Sequence, residues 1–150
     1  MNVLGPGLVL VLAAAACRSG PPPPAALDTR NDACAHCRMA VSDARFAAQL
    51  VAPAEEPRFF DDLGCLRDAL WAGPAPRGAV AYVADHRTKA WVRASGAVYA
   101  RVPGLETPMS SHLVAHADAA SRAADAAAAG GTPLPAAEVF GPAGPPDGAP

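Results

Sequence analysis

Cys34-Ala35-His36-Cys37-Arg38-Met39 brings two thiols, an imidazole and a thioether into one short run. Thiolate and thioether sulfurs are soft, polarisable donors, the set that selects Cu(I) over zinc, calcium or magnesium. In an extended segment, residues two apart face the same way, so Cys37 and Met39 can converge on one ion. Arg38 then faces the other side, and its charge favours the Cys37 thiolate. The competing reading of Met39 is a residue that fills core space. Beyond the initiator, the remaining methionine is Met109, in Thr107-Pro108-Met109-Ser110-Ser111. That loop is polar, with no apolar periodicity around it, so a methionine there is odd as packing and sensible as a ligand.

The Cys34/Cys37 spacing also suits a redox dithiol, half a zinc site or a plain disulfide. A structural zinc site wants a second Cys/His pair, and no clean one follows. A thioredoxin-like pair opens a helix after a buried strand. Here the polar run Asp28 to Asp32 precedes it and Met39-Ala40-Val41 follows. His36 and His112 are further candidate donors, and His116 is placed to share a strand face with His112. His86, in Asp85-His86-Arg87, reads as part of a solvated turn. Cys65 falls in the first turn of a helix, where thiol pKa values drop, but Asp61 and Asp62 oppose that shift. A small buried residue is the simpler reading. No nucleophile–base pair stands at a telling spacing, which argues against an enzyme.

These residues must be held by a chain of 150 residues, about one domain's worth. Its net charge of −2 offers no electrostatic footprint for a nucleic-acid backbone. The apolar run Val3 to Ala16 is too short to span a bilayer and has the length of a signal-peptide core. Small residues followed at once by Cys17 are similar to a bacterial lipoprotein signal, giving a signal peptide over 1–16 and a lipidated Cys17. The alternative is an ordinary secretory signal cut nearby. Either way the mature chain leaves the cytoplasm. Residues 17–27, with Pro21 to Pro24, then read as a stiff extended spacer. With Cys17 spent on lipid, an odd count of cysteines remains, which points to a free thiol or a metal ligand.

Strands are predicted over Arg45–Val51, Arg58–Phe60, Ala79–Val83, Ala97–Arg101 and Ser111–His116. Lys89–Arg93 either extends the first half or opens the second. Helices are predicted over Leu63–Trp71, capped by Asp61-Asp62 and stopped by Gly73-Pro74, and over Asp118–Ala129, ended by Gly130-Gly131. Glu138–Phe140 reads as a last edge strand, and 141–150 as a disordered Gly/Pro-rich tail. Strand–strand–helix–strand, written twice, predicts an α+β protein of two small related lobes, 28–87 and 88–140.

Four of these motifs, in this order, resemble one known family. Cys37-Arg38-Met39-Ala40-Val41-Ser42 with Arg45-Phe46-Ala47-Ala48-Gln49 is similar to the opening motif of NosL, the nitrous oxide reductase accessory lipoprotein. So are Phe59-Phe60-Asp61-Asp62-Leu63-Gly64-Cys65-Leu66, Ala90-Trp91-Val92 and Thr107-Pro108-Met109. The resemblance implies a periplasm-facing, membrane-anchored Cu(I) chaperone, working with a membrane transporter complex to supply nitrous oxide reductase or a similar cuproprotein. It implies a fold of two similar lobes related to part of the organomercurial lyase fold. It also implies Cys37 and Met39 as copper ligands, Met109 completing a soft three-coordinate site, and Cys34 as a further donor or disulfide partner. Family members typically carry glycine where this chain has Arg38. The rival expectation is a thiol–disulfide oxidoreductase using Cys34 and Cys37; the blandest is a surface lipoprotein whose soft residues are incidental.

Overall fold

The computed structural model describes residues 20–148; the expected signal peptide over 1–16 and Cys17 lie outside the described residues. The chain folds as an α+β protein with two antiparallel sheets. In chain order the elements are β1 (Ala48–Val51), β2 (Arg58–Phe60), α1 (Leu63–Ala72), β3 (Val80–Ala84), β4 (Trp91–Arg93), β5 (Val98–Arg101), β6 (Leu113–His116), α2 (Ala119–Ala123), a 3-10 turn (Ala126–Ala128), β7 (Thr132–Leu134) and α3 (Ala136–Phe140). The first sheet runs β2-β1-β3-β4 and the second β6-β5-β7.

The two halves share a wiring. In each, the first strand is central and pairs antiparallel with the next strand on one side and, after a helix, with the third on the other. β4 extends the first sheet by pairing with β3. One apolar core serves both sheets: Leu50, Phe60, Leu66 and Val83 pack with Tyr99, Leu113, Val139 and Phe140. The sheets meet where Asp85, just past β3, bridges Ala115 of β6. Among the described residues no helix is long and apolar enough to cross a membrane.

Local chemistry explains where the elements depart from the periodicity. β1 starts only at Ala48, because Asp43 accepts from the Arg45 N–H and turns the chain there. The alanine-rich helix breaks into α2 and the 3-10 turn where Asp125 caps the latter by accepting from the Ala127 N–H. Glu138–Phe140 is helical, not an edge strand: Pro135 stands at the N-cap of α3, and Gly141 leaves it at φ 85°. The strand paired with β5 is Thr132–Leu134 instead. β6 begins at Leu113, since His112 has φ 57°.

Both terminal segments pack against the body. Gln49 and Tyr82 project from the face of the first sheet opposite the main core. The Gln49 amide accepts from the Ala25 N–H (2.7 Å) and donates to the Ala25 carbonyl (3.1 Å). The Tyr82 hydroxyl donates to the Pro22 carbonyl (2.6 Å). The proline run from Pro21 is thus a strap over the sheet and not a free spacer. The tail is ordered through Gly148: the Ala81 N–H donates to the Pro146 carbonyl (2.9 Å), the Gly148 N–H to that of Ala79 (2.8 Å), and Arg93 pairs with Asp147. This double covering is why β1 and β3 are buried on both faces.

Candidate metal centre

Ala33 and Ala40 pair across a tight hairpin that carries both cysteines of the Cys-Ala-His-Cys run. The Cys34 N–H donates to the Met39 carbonyl (2.7 Å) and the Arg38 N–H to that of Cys34 (3.0 Å). A bond from the Ala35 N–H to the Phe59 carbonyl (2.7 Å) pins the hairpin to β2. The segment is therefore not extended, as same-facing side chains at Cys37 and Met39 would require. Arg38 sits at φ 70°, in the left-handed region that glycine adopts most easily. A left-handed backbone costs an L-residue roughly 1–2 kcal/mol, and glycine's unfolded-state freedom returns roughly 0.5–1 kcal/mol of that. Arg38→Gly is expected to raise stability by about 0.5–1 kcal/mol, read as a higher urea midpoint at unchanged slope.

The hairpin faces the N-terminus of α1. Asp62 caps that helix, one carboxylate oxygen accepting from the Gly64 N–H (2.6 Å). Asp61, just before the cap, lies against the thiols. The Cys37 thiol donates to its two oxygens at 3.5 and 3.4 Å. Cys34, Cys37, Asp61 and Cys65 form a group able to hold a metal ion, their ligand atoms all within 4.8 Å of one another. Cys34 and Cys65 are buried, Cys37 is half-buried, and none of the three is bridged. Burial, above all, raises the Cys37 thiol, and contacts with Cys34 and Asp61 raise it further against an opposing Met39 N–H. Burial likewise pushes Cys65 up strongly, with Asp61 and Cys34 adding to it. The helix N-terminus does not activate Cys65, because Asp61 and the loss of water outweigh it.

The second half of the chain reaches this place through Asp62. The carboxylate oxygen not used in the cap accepts from the Thr107 hydroxyl (2.7 Å) and the Met109 N–H (3.0 Å). The Met109 backbone is so held one residue along from the aspartate that touches Cys37. Gly64 permits the close approach: a Cβ there would stand 2.8 Å from Ser111 Cβ and 3.1 Å from an Asp62 oxygen. Alanine gains up to ~1 kcal/mol of helix propensity over glycine, but overpacking costs roughly 1–3 kcal/mol. Gly64→Ala is expected to lower the thermal midpoint and to loosen the 107–112 loop, seen as faster amide exchange at Met109.

Met39 and Met109 are 52% and 43% exposed; Trp71 is the other large apolar side chain that is exposed among the described residues. Core filling does not account for either methionine. His36 is exposed on the hairpin. The His112 ring lies 2.9 Å from the Leu105 carbonyl and shares no strand face with His116. His86 is no solvated turn residue: it is 2% exposed and packs with His116 and Asp125. Sequence reasoning missed Asp61 as a member of the thiol group, having read both aspartates as caps. The pairing of a cap residue with a second, redundant aspartate was the signal. Set against protein-family models, curated proteins and solved structures, the chain matches none of them.

Proposed function

We propose that the protein is a Cu(I) carrier of the kind its motifs resemble, an extracytoplasmic lipoprotein anchored through Cys17. In this reading it passes copper to nitrous oxide reductase or a similar cuproprotein, together with a membrane transporter complex. The observation that carries the reading is the half-buried Cys37 thiol of the Cys/Asp group, together with the exposure of Met39 on the same hairpin and of Met109, whose backbone N–H is held by Asp62. Soft donors that serve only packing are buried; donors that exchange an ion with a partner must be reachable. Cys37, Met39 and Met109 supply the exchange face, with Cys34 and Cys65 as sulfurs behind it. His36 and His112 remain outer candidates. Stepwise replacement of one soft ligand by another lets a tightly held ion leave quickly.

The test is an anaerobic competition titration of the reduced protein against a chromophoric Cu(I) chelator. One equivalent retained, with sulfur scattering at the copper absorption edge, is the expected result. Complete surrender of copper to a weak chelator sinks the reading. The nearness of Cys34 to Cys37 favours one other use, as a dithiol oxidant or reductant. An attacking thiol works best with a pKa near ambient pH, whereas Cys37 is raised. A reversible Cys34–Cys37 couple with weak copper binding decides for that alternative.

A further inference from the structure

A second group of ligand-capable side chains lies at the junction of the two sheets. His86 comes from the turn after β3, His116 ends β6, and Asp125 is the N-cap of the 3-10 turn. They are 2%, 0% and 6% exposed. One oxygen, Asp125 Oδ2, lies 2.6 Å from His86 Nδ1 and 2.9 Å from His116 Nε2. The three facing atoms lie within 4.8 Å of one another. We propose that His86, His116 and Asp125 form a second metal site, which takes a divalent ion of the Zn(II) class as a structural element and is separate from the sulfur group.

Three observations carry this. Burying two imidazoles and a carboxylate is costly unless their charges and polar atoms are matched. Hydrogen bonding matches them only in part: both rings share one oxygen, and the outer atoms His86 Nε2 and His116 Nδ1 have no partner among the described residues. Each ring can turn a lone pair inward onto an ion, its outer N–H then needing a water as acceptor. The donor set is two nitrogens and one oxygen with no sulfur, which suits Zn(II) and not Cu(I). Zinc ligands stand ~2.0–2.2 Å from the metal, so tetrahedral donors are roughly 3.3 Å apart. The two oxygen–nitrogen distances need to open by only several tenths of an ångström to admit one.

Because the group is buried, the ion enters as the chain folds, and its binding energy adds to folding energy. It draws on three chain segments across both sheets, so it fastens one half of the molecule to the other. Three protein donors leave one position for a water or a small anion.

The test uses Co(II) and Zn(II) with the mature chain refolded from a metal-free state. Cys37→Ser serves as the background that removes the reachable thiol of the sulfur group while altering only a half-buried side chain. The expected result is one equivalent of Co(II) showing ligand-field bands without thiolate-to-metal charge transfer. Adding His86→Gln or, separately, Asp125→Asn is expected to weaken binding at least tenfold. Zn(II) is expected to raise the thermal midpoint of the Cys37→Ser protein and not that of the doubly substituted ones. Co(II) bands and a Zn(II)-dependent midpoint shift that survive both His86→Gln and Asp125→Asn, or that are absent from the Cys37→Ser protein, overturn the proposal. Neither readout involves copper, so failure here and failure of the carrier reading are told apart.

Discussion

Cys37→Ala is expected to weaken Cu(I) binding by more than about a hundredfold, while Met39→Leu and Met109→Leu each weaken it about tenfold. Loss of an outer partner of a metal ligand already costs roughly 10–100-fold, so loss of a thiolate ligand itself must exceed that range. Cys37 is the one thiol of the group that is not fully buried, so it alone joins the inner sulfurs to an exchange partner. In the proposed site the methionines are neutral donors; both are exposed, and leucine conserves their volume. Their substitution therefore leaves the fold intact and reports the thioether alone. Competition titrations of the three variants give the ranking. Equal affinities for wild type and Cys37→Ala would remove the hairpin from the site.

The same thiol fixes the pH dependence. Burial holds Cys37 protonated above the ordinary thiol value of 9.0, so copper must displace a proton at any physiological pH. Apparent affinity is then expected to rise by about one log unit per pH unit between pH 6 and 8 for one thiol, and more steeply if Cys34 or Cys65 also ionises. The metal-free protein runs in the opposite direction. Folded thiols raised above the unfolded value contribute stability that is fully present below that value and is lost as pH rises through the folded one. Copper loading should therefore protect most against alkaline unfolding.

How much of this was legible beforehand depended on whether a signal was local. The Asp62 cap, the Gly73 stop and the β-rich run at Ala79–Val83 are read from neighbours in sequence, and the structure has them, the strand shifted by one residue to Val80–Ala84. The doubled wiring also followed from element order, since a hairpin and a return strand leave few antiparallel solutions. What failed was set by distant partners. The breadth of the Asp118–Ala129 helix was undone by Asp125, whose carboxylate is claimed by His86 and His116 from other elements. The strap over Gln49 and Tyr82 is invisible in a proline run that suits a free spacer equally well. At the candidate metal centre, Cys34 and Cys37 were legible as soft donors, but Asp61 and Cys65 join them only because the hairpin docks on β2. The left-handed backbone at Arg38 is likewise something no spacing argument reveals.

Asp85→Ala is expected to cost about 4 kcal/mol, a large part of the roughly 5–15 kcal/mol that holds a domain together. The carboxylate is fully buried. One oxygen accepts from the N–H groups of Arg87 (3.1 Å) and Thr88 (2.8 Å), the other from the Ala117 N–H (2.8 Å) and the Ser121 hydroxyl (2.6 Å). Removing it takes the acceptor from the buried Ser121 hydroxyl and from the part-buried N–H groups of Arg87, Thr88 and Ala117, so donors of both halves lose their partner, a buried one at roughly 1–3 kcal/mol. Asp85→Asn keeps one acceptor and turns an N–H₂ towards donors, so about 2 kcal/mol is expected. Burial alone would raise this carboxyl, but the bonds from Ala117, Ser121 and Thr88 together outweigh it and hold the pKa well below the usual carboxylate range. Asp125 is lowered as well: its burial is outweighed by the bonds to His86 and His116. For a depressed folded pKa, the stability is present above the unfolded value near ~3.9 and is lost as pH falls through the folded one. Wild type is therefore expected to lose stability steeply below about pH 4, and Asp85→Asn less steeply, in urea titrations across that range. Parallel acid profiles for the two proteins would mean that the contact between the sheets rests on the shared apolar core and not on this carboxylate.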